Sequence, residues 1–162
     1  MPKEDHFIEL IREHQALIFK VSAMYADQKQ DQKDLYQEIV YQLWKSFDTF
    51  AKKSKISTWM YRVALNTAIK QLNSNKRQPR TSSIETIDLP GMDLTDGIME
   101  ERMKRLHKEI GKLNILEKGI ILLALEGKKH EDIAEITGLS VTNVGTRISR
   151  IKTKLKSELT KG

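Results

Sequence analysis

The stretch His130-Glu131-Asp132-Ile133-Ala134-Glu135-Ile136-Thr137-Gly138-Leu139-Ser140, continued by Val144, Ile148, Ile151 and Leu155, decides the architecture. Ala134 is small enough for two crossing helices to approach. Gly138, four residues on, can take the positive φ of a tight interhelical turn. Leu139 plugs that turn, and Ser140 can cap the helix that follows. Val144, Ile148, Ile151 and Leu155 recur at three- and four-residue spacing, the buried stripe of a second helix. The pattern is a helix-turn-helix. The opposite face of the second helix carries Thr142, Asn143, Thr146, Arg147 and Arg150. Such groups read base edges and grip phosphates when a helix lies in a major groove. Lys152, Lys154 and Lys156 extend the basic surface toward a phosphate backbone. The competing reading is an amphipathic hairpin with a solvated basic face. The motif speaks for DNA binding without saying which class of DNA-binding protein carries it.

Working toward the N-terminus, helical spacing predicts a helix over 98–113 and another over 116–126, stopped by Gly127. Residues 78–97 read differently. Pro79, Thr81-Ser82-Ser83, Pro90-Gly91 and Asp96-Gly97 are turn punctuation without a sustained period, the signature of a linker. Upstream, Phe7, Leu10/Ile11, Leu17/Ile18, Val21 and Met24/Tyr25 predict one helix over 4–26. Leu35, Ile39, Leu43 and Phe47 predict a second over 32–50, after a polar break at 27–31. The segment 51–55 reads as a basic loop. A third helix is expected from Ser57 or Thr58, either a plausible cap, to residue 76, with Trp59/Met60, Val63 and Leu72 inward. No strand pattern competes. The fold class expected is all-α: two small helical domains, 1–77 and 98–162, joined by a flexible acidic linker at 78–97.

Charge follows the same division. Residues 1–80 hold 14 Lys/Arg against 9 Asp/Glu, residues 81–101 hold six acids and no base, and residues 102–162 hold 14 bases against 7 acids. Two basic blocks flanking an acidic connector suggest two surfaces facing polyanions, joined by a segment that avoids them. Lysine-rich solvation of helix faces is the plainer alternative. The absence of cysteine excludes disulfides, cysteine-ligated zinc clusters and thiol nucleophiles. No apolar signal core opens the chain and no run of about 18 apolar residues occurs, which points to the cytoplasm and against membrane insertion.

Two further surfaces stand out. Arg62, Asn66, Lys70, Asn73 and Arg77 share a polar stripe on the third helix, beside the lysines at 52–55, and could hold single-stranded or distorted DNA. Asp34, Gln37, Glu38, Tyr41 and Lys45 lie away from the apolar stripe of the second helix and could dock a partner helix. Plain solvation accounts for either surface taken alone. Other function classes stay open at this point. A dimeric helix-turn-helix repressor needs a dimerisation face and a palindromic site. A metal-dependent nuclease needs Asp31, Asp34 and Glu38 to be joined by further ligands, and the four histidines (His6, His14, His107, His130) are scattered.

The order of motifs resembles the extracytoplasmic-function sigma factors, small alternative sigma subunits of bacterial RNA polymerase. The residues that carry the resemblance are Asp34-Leu35-Tyr36-Gln37-Glu38 with Trp44, and Thr58-Trp59-Met60-Tyr61-Arg62-Val63-Ala64 with Asn66. Leu113, the helix at 120–125 and the helix-turn-helix follow, so that nearly the whole chain is covered. The resemblance implies a region-two domain at 1–77 and a region-four domain at 98–162. It places Asp34, Gln37, Glu38 and Tyr41 against the clamp helices of the polymerase's largest subunit. It places Lys52, Lys53, Lys55, Trp59, Arg62, Asn66 and Lys70 on a melted minus-ten element, with the loop at 50–56 cradling an unstacked base. Thr142, Asn143, Thr146, Arg147, Ser149, Arg150 and Lys152 fall on a double-stranded minus-thirty-five element. Implied as well are a separate anti-sigma factor, no cofactor or metal, no catalysis by this chain, and a linker threading a basic channel of the polymerase. Twenty linker residues at roughly 3.3 Å each reach up to ~65 Å. Three positions depart from the family pattern: Lys129 where a capping Ser or Thr is common, Asn114 where Pro is frequent, and Thr142-Asn143 in place of a small-residue pair. The last alters the recognition face itself.

Overall fold

The structure is a computed structural model that describes residues 2–50, 55–74 and 97–161, with the backbone alone at 97–99. The chain divides into two compact units, Met1–Ser83 and Ile84–Gly162. All regular structure among the described residues is helical. The expected linker at 78–97 lies outside the described residues except for Gly97, which begins a helix.

In the first unit the described helices are α1 (Lys3–Glu13), α2 (Gln15–Tyr25), α3 (Lys29–Ser46) and α4 (Ile56–Ser74), with a 3-10 turn, Phe47–Thr49, continuing α3. Helices α2, α3 and α4 pack on one another and α1 lies on α2. Ile18, Val21, Ile39, Leu43, Met60, Ala64 and Ala68 are fully buried where they meet. Each of the larger ones stabilises the fold by about 1.5–3 kcal/mol relative to leaving it in water.

The single helix expected over 4–26 is two helices. His14 adopts φ −116° and ψ 18°, and its backbone N–H reaches both Leu10 O and Ile11 O. Its Nδ1 also sits 3.0 Å from Leu10 O. The apolar spacing runs on across this bend, so periodicity alone does not register it. Helix α3 starts earlier than expected because the polar residues at 29–31 contain neither Gly nor Pro. The Gln28 carbonyl accepts from Gln32 N–H, and Gln32 Nε2 donates to Ala26 O.

Neither Ser57 nor Thr58 caps α4. The Lys55 carbonyl already accepts from Trp59 N–H at 3.1 Å, which draws both residues into the first turn. The inner face of α4 also differs: Ala64, Leu65 and Ala68 are buried, whereas Val63 and Leu72 are half-buried. Two alanines one turn apart share one face of the helix, and their small side chains allow a neighbouring backbone to pack closely there. Burial raises the pKa of Tyr36, on the flank of α3.

The second unit contains α5 (Gly97–Gly111), α6 (Ile115–Leu125), α7 (His130–Thr137) and α8 (Val141–Leu159). Helix α8 packs against α5, α6 and α7. Ile120, Leu123, Ile133 and Val144 are fully buried between them. Asn114 turns out to be a strong helix start in its own right. Its side chain accepts from Glu117 N–H at 2.8 Å, and the Glu117 carboxylate accepts from Asn114 N–H at 3.0 Å. This reciprocal cap satisfies two amide groups the helix leaves open. Lys129 precedes α7 with no side-chain cap. Burial lowers the pKa of His107 on α5, which favours its neutral form.

Gly127 and Gly138 both sit at φ +80°. A Cβ at 138 would meet no atom within 4 Å, so the glycine answers to backbone conformation and not to crowding. Gly138→Ala is therefore expected to destabilise the second unit by about 1–2 kcal/mol. Gly138→Asn should cost less, because asparagine tolerates the left-handed region. Urea denaturation of the two variants checks the ranking; equal losses would mean that the turn does not depend on its φ.

Candidate nucleic-acid interface

The recognition surface is built outward from the turn. Gly138 reverses the chain after α7, and its N–H closes on Ala134 O at 2.8 Å. Ser140 then caps α8, its Oγ accepting from Asn143 N–H at 3.1 Å. Val144, Ile148, Ile151 and Leu155 are buried, which fixes the rotation of α8 and turns its other face to solvent. Thr142, Asn143, Thr146, Ser149, Arg150 and Lys152 are exposed and Arg147 is half-exposed. The seven residues expected on double-stranded DNA thus form one continuous surface. Arg147 Nε donates to Asn143 Oδ1 at 2.9 Å, and Thr146 Oγ1 donates to Thr142 O at 3.1 Å. From Val141 to Ser157 the helix carries Arg147, Arg150, Lys152, Lys154 and Lys156 and no acid. Phosphates approaching this face of α8 meet its positive charges with no acid on the same stretch of helix.

The first unit presents its polar residues on α3 and α4. Asn66 and Lys70 are exposed one turn apart on α4, Arg62 is half-exposed a turn earlier, and Lys55 is exposed just before the helix. Lys52, Lys53 and Arg77 lie outside the described residues. Trp59 lies inward, as the spacing along the helix predicts, and is more covered than the other described residues that the resemblance sets on the minus-ten strand. It is only 6% exposed, stacked on Phe50 at 4.7 Å and edge-on to Phe47 at 6.3 Å. Its ring belongs to an aromatic cluster that continues through Phe7 to Trp44, and it offers no face to a base. The indole supports Phe50, at the edge of the basic segment.

On α3, Asp34, Gln37 and Tyr41 are exposed and Glu38 is half-exposed, opposite buried Leu35, Ile39 and Leu43. Tyr41 keeps 53% of its surface in solvent, with Lys45 Nζ 5.4 Å from its ring centroid. Gln30 donates to Asp34 and Gln42 donates to Glu38, so both carboxylates are held along the helix. Sequence reasoning treated the α3 and α4 surfaces as separate, but the structure joins them. A groove of about 600 Å³ runs between the two helices, with Glu38, Gln42 and Lys45 on one wall and Asn66, Lys70 and Gln71 on the other. Nothing in the linear order of residues signals that meeting. Among the described residues no three His, Asp or Glu side chains gather as metal ligands. None of the described helices is long and apolar enough to cross a membrane.

Comparison with known proteins assigns both units. Residues 10–78 match the family described as Sigma-70 region 2, and residues 103–155 match Sigma-70, region 4. The chain belongs to the sigma-70 family. Among its relatives, the RNA polymerase sigma factor SigV of Bacillus subtilis is 29% identical over 155 residues, 95% of this chain and 91% of that one. The sigma-E factor of Haemophilus influenzae is 29% identical over 143 residues, 81% of this chain and 76% of that one. The fold matches that of the sigma factor RpoE from Bartonella quintana, solved in complex with the anti-sigma factor NepR. There the TM-score is 0.74 at 19% identity, over 95% of this chain and 96% of that one. The region-two match falls inside the first compact unit and the region-four match inside the second. As an alternative sigma factor, the protein directs promoter-specific transcription initiation.

Proposed function

We propose that this sigma factor binds bacterial core RNA polymerase through α3, reads the minus-thirty-five element with α8 and holds the melted minus-ten strand on α4. The observation that carries the reading is the exposed, acid-free face of α8 set on a buried apolar stripe. On this reading the region-two domain spans 1–77, an acidic linker spans 78–97 and the region-four domain spans 98–162. Asp34, Gln37, Glu38 and Tyr41 face the clamp helices of the largest subunit. Lys52, Lys53, Lys55, Arg62, Asn66 and Lys70 take the minus-ten strand, where binding energy offsets a few kcal/mol for each unstacked base. Trp59 acts from beneath, by supporting Phe50. Thr142, Asn143, Thr146, Arg147, Ser149, Arg150 and Lys152 contact the minus-thirty-five duplex.

The chain performs no catalysis, needs no cofactor and works in the cytoplasm; bond formation belongs to the polymerase. Its fold is like that of a sigma factor solved with an anti-sigma factor, and a separate protein of that kind holds this one inactive. Permanganate probing of genomic fragments bound by the reconstituted holoenzyme tests the proposal. Reactive thymines should appear at the minus-ten position with wild-type protein and weaken with Asn66→Ala plus Lys70→Ala, while fragment binding through α8 persists. Undiminished melting by that double variant would remove α4 from the strand-holding role.

A further inference from the structure

We propose that Asn143 serves as a positioning residue that aims Arg147 at a guanine of the minus-thirty-five element. The inference rests on the assignment of α8 to that element and adds the identity of one base to it. Asn143 and Arg147 are one helical turn apart on the solvent face, and Asn143 Oδ1 accepts from Arg147 Nε at 2.9 Å. A guanidinium can present either its Nε edge or its two terminal nitrogens to a ligand. With Nε engaged by the amide, the terminal pair is left as the fork that a ligand can meet. That fork matches the O6 and N7 acceptors which guanine alone places side by side in the major groove. Adenine offers a donor at the corresponding position, so the aimed fork discriminates against it.

Two local features reinforce the arrangement. Ser140 Oγ accepts from Asn143 N–H, which fixes the Asn143 backbone at the helix start. Thr146 donates its hydroxyl to Thr142 O, one turn back along the same face. The hydroxyl proton of Thr146 is thereby committed, and Arg147 is left as the long donor at this level of the helix. Asn143 lies on the contact surface, but its effect on base choice is exerted through the arginine.

The test uses holoenzyme reconstituted with wild type, Asn143→Ala, Asn143→Asp and Arg147→Ala, each offered a pool of duplexes with a randomised upstream promoter region. Bound sequences are read out and scored for discrimination at each position. Wild type should require guanine at one position by about 5- to 150-fold, the range of a bidentate base contact. Arg147→Ala should lose that preference alone. Asn143→Ala should weaken the same preference by about 2- to 10-fold, the worth of one hydrogen bond, without changing any other position. Asn143→Asp keeps the acceptor and should restore the guanine discrimination, even though its added charge lowers overall DNA affinity. A purely structural role for Asn143 would not produce that split between discrimination and affinity. Loss of preference at a different base in Asn143→Ala would make Asn143 a direct reader, and unchanged discrimination would make it inert; either overturns the proposal. If Arg147→Ala leaves every position unchanged while the holoenzyme forms, the assignment of α8 to the minus-thirty-five element fails first.

Discussion

Replacing Arg147 and Arg150 with alanine is expected to reduce promoter binding by holoenzyme on the order of a hundredfold while leaving association with core polymerase intact. The two guanidiniums lie on the solvent face of α8, and the buried stripe of Val144, Ile148, Ile151 and Leu155 does not depend on them. Fold stability should therefore shift by no more than about 0.5 kcal/mol, as for an ordinary surface change. A bidentate base contact is worth about 1–3 kcal/mol, so two such groups account for a loss of this size. The salt dependence separates their roles. An arginine that grips phosphate takes about 0.9 from the log–log salt slope when removed, whereas one that reads a base removes preference and leaves the slope nearly unchanged. Filter binding at several salt concentrations, alongside co-purification with core, measures both. A parallel loss of core binding would mean that the variant is misfolded or that the two activities are not divided between the units.

The converse variant carries the second large effect. Gln37→Ala combined with Glu38→Lys is expected to weaken core association at least about tenfold, the equivalent of ~1.4 kcal/mol, with duplex recognition by α8 retained. Gln37 is exposed and Glu38 half-exposed on α3, and neither contributes to the buried contacts of Leu35, Ile39 and Leu43. Glu38 accepts from Gln42 at 2.9 Å, so its carboxylate is already aimed when a partner arrives. Reversing its charge replaces an attraction to a basic or donor-rich partner with a repulsion, which costs more than truncation does. Because Glu38 shares a groove with Asn66 and Lys70, the reversal should also slow promoter melting. Competition against a wild-type chain for limiting core gives the affinity ratio directly. Normal competition by the variant would move the polymerase-docking surface off α3.

The helix-turn-helix was legible because its signals are local. Gly138, Ser140 and the stripe beginning at Val144 all lie within a few residues, and each has one mechanical use. The helical content of the N-terminal unit was equally legible from its spacing. Its packing was not. Ala64 and Ala68 carry little hydrophobic signal yet are fully buried on α4, whereas Val63 and Leu72, which the spacing set inward, are half-buried. The bend at His14 changes backbone direction without interrupting the apolar spacing. The spacing along α4 placed Trp59 inward, where it lies, and only the resemblance set it on DNA; the rings that cover it, Phe47 and Phe50, belong to the segment after α3 and reach it only through tertiary structure. The reciprocal cap of Asn114 and Glu117 was within reach of the sequence, since an asparagine followed three residues later by glutamate ahead of an apolar run is a helix-start pattern. The groove between α3 and α4 was out of reach, because no spacing along the chain encodes which two helices become neighbours.

The central claim is that two separate surfaces serve one act of promoter-specific initiation. Its most direct test mixes the purified chain with bacterial core RNA polymerase lacking its own sigma subunits and measures run-off transcription from a pool of genomic promoters. Stable association with core and transcripts from a distinct subset of promoters is the predicted result. Failure to bind core, together with tight autonomous binding to a palindromic site, would contradict the account.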